Sequence, residues 1–251
     1  MNNRSFEEIL LKIHEKKCKA LDKKINAIYK EAFRIIDAET SQVWLEMLSQ
    51  GQVSASMLFK VERWNELQKT IEQQMAKVGQ VQQELIQLTL LDAYKAAYEK
   101  TNEVIAPGKE YTIFNENIAK KIVDFNFKGA TLTERIKGVT LKAGAQIQNA
   151  IISTAIAGKD YRTVSKELAN RLGVARSASD TIVRTETMRV LNEAQKQSYK
   201  DKGYQKVIWL AELDERTCTE CMDINGKEYE IDAAPSVVHP RCRCTCYPKL
   251  D

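Results

Sequence analysis

Five of the six cysteines and one of the two histidines lie close together near the C-terminal end of the chain. They form two short clips. The first is Cys218-Thr-Glu-Cys221, and the second, 17 residues further on, is His239-Pro-Arg-Cys242, followed by Cys244. Each clip places two soft ligands on one tight turn, so that both can reach the same ion. This spacing is typical of tetrahedral zinc sites of the treble-clef and ribbon types.

The simplest set of four ligands consists of Cys218, Cys221, His239 and Cys242. Cys244 is an alternative ligand that could replace His239 or Cys242, and Cys246 is the weakest candidate. Four protein ligands fill the coordination sphere of a tetrahedral ion. The sequence therefore predicts a structural zinc rather than a catalytic one.

Buried free cysteines or disulfides are the alternatives to a metal, and the cellular compartment decides between them. The first residues lack the apolar core of a secretory signal. No segment approaches the roughly 18 apolar residues that cross a membrane. We expect a protein made in a cytosol, without a membrane partner. Thiols stay reduced there, which favours the metal.

The positions of proline and glycine indicate a mostly helical chain. Only one of the four prolines, Pro107, precedes residue 235 in the 251-residue sequence. Ser5 with Glu8, and Thr131 with Glu134, have the spacing of a capping box. Helices are predicted over residues 5–37, 42–48, 54–100, 113–124, 131–157, 161–172 and 175–202.

The predicted helix over residues 54–100 carries a long apolar stripe from Met57 to Tyr98. Its apolar residues recur about every 3.4 positions, near the 3.5 of a coiled-coil seam. Gly79 weakens its middle. Two interpretations stay open: the helix packs within its own subunit, or it packs against another copy of the chain or another protein. The second would make the protein a homo-oligomer through its long helices.

The composition changes at Gly203, where a small β-rich module begins. Residues 207–210 form a β-like run, and Asn225-Gly226 predicts a hairpin between residues 222–224 and 227–231. A segment of this size buries little core by itself, so the zinc would act as its staple. The predicted fold class is mainly α: an elongated helical N-terminal body with a small C-terminal α+β, zinc-stapled module.

Charge is unevenly distributed along the chain. The formal net charge is +4, yet the segment from Lys206 to Asp251 carries six Lys or Arg and nine Asp or Glu. The longer first part is therefore basic. Weak attraction to nucleic acid is one consequence, and a solvated helical surface is the simpler interpretation that we favour. Arg241 and Arg243, which flank Cys242, are expected to pair with nearby acids rather than with phosphate.

Catalytic motifs are not evident in the sequence. It contains no Gly-rich phosphate loop, no H-E-x-x-H and no G-x-S-x-G. Arg184 and Glu186 lie near each other, as Arg and Glu do in ADP-ribosyltransferases, but a structural ion pair is the favoured interpretation. His14, in a Lys-rich helix, is expected to be solvated. The sequence predicts a protein that is not an enzyme.

The C-terminal half, about residues 130–250, resembles the phage Mu F-like minor head proteins, also called phage head morphogenesis proteins. The ordered motifs that carry the resemblance are Arg184-Thr185-Glu186, Gly203, Trp209, Asp214-Glu215-Arg216-Thr217-Cys218-Thr-Glu-Cys221, Asn225-Gly226 and His239-Pro240-Arg241-Cys242-Arg243-Cys244. The predicted domains are accordingly a variable helical region over 1–129 and a Mu F-like domain over 130–251, with the zinc module at 206–251. The family's H-P-x-C-R core supports His239 and Cys242 as ligands.

The resemblance implies a structural minor head protein of a tailed phage, assembled in the cytoplasm of a host bacterium and carried in the capsid interior of the virion. It implies association with the portal protein and other head proteins, and a part in head assembly and in DNA packaging or ejection. Phage DNA is a further expected partner. The alternatives are a nucleic-acid-binding zinc protein of the host cytosol and an ADP-ribosyltransferase-like enzyme.

Overall fold

The computed structural model describes residues 4–107 and 114–249 of the chain. The side chain of Ser5, and with it the first predicted capping box, lies outside this description, as does residue 113. The fold class is confirmed as mainly α, with a small antiparallel sheet near the C-terminal end. The elements are α1 Arg4–Ser49, α2 Ala55–Leu58, α3 Glu62–Ile105, α4 Glu116–Val123, α5 Leu132–Ile156, α6 Tyr161–Asp201, β1 Lys206–Leu210, α7 Thr219–Asp223, β2 Glu228–Glu230 and β3 Thr245–Pro248.

Several predicted helix ends are wrong. The break predicted after residue 37 does not occur, because α1 holds no proline or glycine and the buried Thr40 hydroxyl donates to the Ile36 carbonyl at 2.7 Å. Likewise α6 runs through Gly173, whose surroundings are open and whose cost relative to alanine is only about 1 kcal/mol. The predicted helix over 54–100 is divided into α2 and α3.

The chain forms two compact units, and each is assembled from separate stretches of sequence. Unit 1 comprises Met1–Leu21, Leu85–Leu132 and Thr181–Asp251, and unit 2 comprises Asp22–Glu84 and Thr133–Asp180. Both therefore combine residues from before and after position 129. The predicted division of the sequence at that position stays a prediction.

Unit 2 is a helical bundle in which small residues allow close packing. A Cβ added to Gly79 of α3 would lie 3.2 Å from the Thr140 hydroxyl oxygen of α5, so this glycine lets the two helices approach closely. The indole of Trp44 donates to the Lys159 carbonyl at 3.0 Å, which ties the loop before α6 to α1.

The buried stripe of α3 is spaced for ordinary helix packing. From Trp64 to Leu90, the buried positions advance 26 residues in seven steps, or about 3.7 residues a step. This is nearer the 3.6 of a straight α-helix than the coiled-coil spacing that the sequence predicted. The stripe is buried within the single chain, whereas Leu88, off the stripe, is 67% exposed. The oligomer stays a prediction.

The sheet of unit 1 has the order β2-β1-β3, and both pairings are antiparallel. The predicted hairpin at Asn225-Gly226 is wrong, since residues 222–224 end α7 and β2 pairs with β1 instead. The turn itself is present: Gly226 has φ +77° and donates to the Trp209 carbonyl at 2.9 Å. The Asn225 side chain accepts from the Ala211 amide at 2.9 Å, which fixes the turn beside the end of β1.

The second half of α6 is buried on almost every side in unit 1, although many of its residues are polar. Glu186 and Arg189 form an ion pair at 2.7 Å, and each side chain is only 2% exposed. Arg189 also donates to the Ile122 carbonyl at 2.8 Å and lies over the ring of Phe127. An ion pair at Glu186 is thus observed, with Arg189 as the partner.

His14 of α1 is buried, so the prediction of a solvated side chain is wrong. It is 4% exposed, and its Nε2 lies 3.1 Å from the Arg184 carbonyl oxygen. Because a carbonyl can only accept, Nε2 carries the proton and donates it. Burial lowers the pKa of His14 below its ordinary 6.5.

This burial predicts a loss of stability in mild acid. Below pH 6.5 the unfolded chain binds a proton at His14 that the folded chain does not, so stability falls as the pH falls, by at most about 1.4 kcal/mol per pH unit. Urea unfolding of wild type and His14→Gln, each at pH 5.5 and pH 7.5 with zinc in excess, measures the difference. Glutamine keeps the donor but does not titrate. The same pH dependence in both proteins would contradict the prediction.

Candidate metal centre

The first clip begins in a tightly bonded loop that leads into α7. The Thr217 hydroxyl donates to the Glu212 carbonyl and accepts from the Asp214 amide. Cys218 then caps α7, its sulfur accepting from the Cys221 amide at 3.4 Å. The short helix thus brings both sulfurs of the clip to the same side of the turn.

The second clip is a turn that α6 supports. The Cys242 amide donates to the His239 carbonyl at 3.1 Å, and Arg241 between them has φ +62°, a left-handed conformation that costs energy for a residue with a side chain. Its amide donates to the Thr185 hydroxyl at 3.0 Å and its Nε to the Thr181 hydroxyl at 3.1 Å. Two threonines one helical turn apart therefore stabilise the strained residue.

An ion pair joins the loop before the first clip to the residue that follows the second clip. Arg243 donates from Nη2 to both carboxylate oxygens of Asp214, at 2.7 and 2.8 Å. This hydrogen bond is the main cause that holds the pKa of Asp214 well below its usual range. The expected pairing of Arg243 with a nearby acid is confirmed, whereas Arg241 bonds to the threonines of α6.

The ligand atoms of the clips form two triads that share Cys221. In one triad, the atoms of Cys218, Cys221 and His239 all lie within 4.8 Å of one another, and in the other those of Cys221, Cys242 and Cys244 do. The four predicted ligand atoms therefore do not all lie within 4.8 Å of one another, since Cys242 groups with Cys221 and Cys244 rather than with Cys218 and His239. The three cysteines of the second triad are buried.

The electrostatics of the second triad favour a thiolate at Cys242. The Cys244 thiol donates to its sulfur, as do the backbone amides of Val238 and Cys244, and these hydrogen bonds lower the pKa of Cys242. The same contact with Cys242, together with burial, raises the pKa of Cys244. Cys246 lies outside both triads, and burial raises the pKa of its thiol to about 12.

These residues fit a tetrahedral metal ion. The sulfurs of Cys221 and Cys242 are 3.8 Å apart. Two thiolates at about 2.3 Å from such an ion are separated by about 3.8 Å. The Nδ1 of His239 lies 2.8 Å from the Pro240 carbonyl oxygen, so it must donate, and this leaves the lone pair of Nε2 free for a metal. All six cysteines are free thiols.

Helix α6 also holds the segment between and after the clips, through buried polar side chains that the sequence analysis missed. Asn192 donates to the Ser236 and Cys244 carbonyls at 2.5 and 2.9 Å, and accepts from the Thr245 hydroxyl at 2.8 Å. Lys196 donates to the Ala234 carbonyl at 3.0 Å. Asn192 and Lys196 are four residues apart and therefore lie on the same face of the helix. This spacing of polar residues is the signal in the sequence that could have identified them.

We predict that Asn192→Leu destabilises the centre without removing a ligand. The change removes the Asn192 donor from the Ser236 and Cys244 carbonyls, at about 1–3 kcal/mol each, whereas the Thr245 hydroxyl keeps Gln195 as its partner, so a total near 3 kcal/mol is expected. Chelator competition checks metal affinity and urea unfolding checks stability. Asn170→Leu, at an exposed position of the same helix, is the control. Unfolding midpoints equal in the two variants would contradict the role of Asn192.

The fold and the site together define a helical protein with a small cysteine-rich module that could hold a metal ion. Residues 145–247, which include all of α6, both clips and the sheet except the last residue of β3, match the family model described as phage Mu protein F like protein. The match confirms the resemblance seen in the sequence: over these residues the chain is similar to phage Mu F-like proteins, and this similarity suggests a phage head morphogenesis protein. No curated protein and no solved structure matched.

Residues 4–107 and 114–249 include no helix that is both long and apolar enough to cross a membrane.

Proposed function

We propose that the protein is a structural, non-enzymatic minor head protein that lies in the capsid interior of a tailed phage and contacts the portal. The observation that carries the proposal is the family match over residues 145–247, which spans the two clips and their support on α6. Within the head it takes part in assembly and in packaging or ejection of DNA. The positive net charge of the chain supports contact with DNA.

In this role the metal is a structural zinc. Cysteine sulfur and histidine nitrogen are the ligands that zinc takes in closed sites, and the two clips offer five such donors. Four of them close the coordination sphere, so the zinc stabilises the module and leaves no position for a substrate. When bound, it links α7, the second clip and the start of β3.

The surroundings of the other reactive groups support a protein without catalysis. Glu186 is buried and paired with Arg189, so an ADP-ribosyltransferase role for Glu186 with Arg184 is disfavoured. Cys18 lies 3.6 Å from Nε2 of His14, but that nitrogen donates to a carbonyl and cannot accept the thiol proton. Both residues are buried, so neither is available to a substrate.

Co-purification with the portal protein of the same phage tests the proposal. The tagged full-length chain is expected to retain that portal, and mass spectrometry of purified procapsids is expected to detect the chain. The portal of an unrelated phage is the control for specific binding. Absence from procapsids together with no portal retention would overturn the proposal. Salt-sensitive DNA binding without portal binding would favour a nucleic-acid-binding zinc protein of the host cytosol.

A further inference from the structure

We propose that three ligands of the metal come from the buried triad of Cys221, Cys242 and Cys244, and that Cys218 and His239 compete for the fourth position. The inference rests on the proposed structural metal centre and names its ligands. It makes Cys244 an obligatory ligand. It also makes His239, which the sequence placed among the four simplest ligands, one of two exchangeable donors.

The centre has more donors than one tetrahedral ion can take. The two triads together hold five ligand atoms, that of Cys221 included, but a tetrahedral ion takes only four. Cys242 and Cys244 form a triad with Cys221, and so do Cys218 and His239, yet the described residues contain no larger group in which all atoms lie within 4.8 Å. An ion bound to one complete triad therefore has a single position left for the two remaining donors.

Burial and hydrogen bonding select the triad that binds the ion. Cys221, Cys242 and Cys244 are 1–3% exposed, whereas Cys218 and His239 are half-buried. A metal bound to the buried thiols is shielded from water, and the loss of hydration is offset by three strong bonds to sulfur.

The buried triad is already arranged for a metal ion. The sulfurs of Cys221 and Cys242 lie 3.8 Å apart, which is about the separation of two thiolates on a tetrahedral ion. Asn192 donates to the Cys244 carbonyl at 2.9 Å. Such an outer hydrogen bond orients a metal ligand, so this half of the site is preorganised.

The two remaining donors are held less tightly. Cys218 is the N-cap residue of α7, a helix of five residues, and its sulfur accepts from the Cys221 amide. His239 is oriented by the carbonyl of Pro240, its own neighbour in sequence. Each lies within 4.8 Å of the shared sulfur of Cys221, so either is near enough to supply the fourth ligand.

The consequence is a centre that keeps its ion when one outer ligand is removed. Exchange between a sulfur and a nitrogen at the fourth position lets the outer face of the module move while three thiolates retain the metal. No bond other than the metal–ligand bond is made or broken in the exchange.

Cobalt(II) bound to the full-length chain tests this, because its visible spectrum reports the number of sulfur ligands and chelator competition reports affinity. Cys218→Ser and His239→Ala are each expected to bind one cobalt with an affinity within about tenfold of wild type. The His239→Ala spectrum should approach that of four sulfurs, and the Cys218→Ser spectrum that of three sulfurs and one nitrogen. Cys244→Ser, and the double variant at 218 and 239, should each lose at least about 100-fold.

Cys246→Ala, at a buried cysteine outside both triads, is the matched control, and the far-ultraviolet circular dichroism of the long helices verifies folding of every variant. A His239→Ala variant as weak as the double variant, a Cys244→Ser variant with wild-type affinity, or two ions per chain would overturn the ligand assignment alone. Wild-type protein that binds no cobalt and contains no zinc would overturn the metal centre itself.

Discussion

Cys221→Ser is expected to abolish stoichiometric metal binding and to unfold the region from β1 to β3. Cys221 is the ligand that both triads share, so no complete triad survives its loss. Structural zinc in small modules contributes about 10–16 kcal/mol at neutral pH, far more than a three-stranded sheet of this size supplies. Metal content by mass spectrometry and hydrogen exchange of the strand amides measure the two effects.

Cys246→Ala and Cys18→Ala separate the loss of a ligand from the loss of a buried thiol. Both residues are as buried as Cys221, but neither belongs to a triad. Each control variant is expected to keep one metal ion and protected strand amides. A strong chelator should reproduce the Cys221→Ser result in the wild-type chain, and full protection of β1 and β3 in chelator would contradict the role of the metal.

Glu186→Ala is expected to destabilise the protein by about 3–5 kcal/mol, because it leaves the charge of Arg189 buried and without its carboxylate. Both side chains are almost fully removed from water, so the interaction is not weakened by solvent. Arg189 also anchors the Ile122 carbonyl and the ring of Phe127, so the loss should reach the neighbouring α4. Urea unfolding gives the change in free energy.

The double variant Glu186→Leu/Arg189→Met is the companion experiment. Replacing both members of a buried pair by apolar residues of similar volume removes the unpaired charge, and a recovery of most of the lost stability is expected. A Glu186→Ala variant within 1 kcal/mol of wild type would show that water or another side chain satisfies Arg189. A double variant as unstable as the single one would assign the cost to packing and to the bond with Ile122.

The two buried features of unit 1, the thiol triad and the ion pair, are both organised by α6. Thr185 supports the turn of the second clip, Glu186 follows it directly and pairs with Arg189 one turn further, and Asn192 holds the chain at Cys244. A helix with so many polar residues usually faces water, but here Thr185, Arg189 and Asn192 each bond to a backbone group of another segment. We infer that the metal module depends on α6 for its position as well as on the ion.

The sequence alone determined those properties that depend on residue type and short spacing. The clips at Cys218–Cys221 and His239–Cys242, the helical character of the chain and the resemblance over its C-terminal half all follow from neighbours within a few residues. Helix ends were less predictable, because Gly173 and the polar stretch after residue 37 are tolerated inside helices that packing stabilises.

Tertiary structure alone decided which donors face the same point and which polar residues are buried. The pairing of β2 with β1 replaced the hairpin that Asn225-Gly226 suggested, since a turn signal does not specify which strands it joins. Cys244 lies beside Cys242 because β3 and α6 fix the position of its backbone. The spacing of residues in the sequence could not decide whether Cys244 or His239 is a ligand. Ligand geometry and burial depend on contacts between residues distant in sequence, and those contacts exist only once the chain has folded.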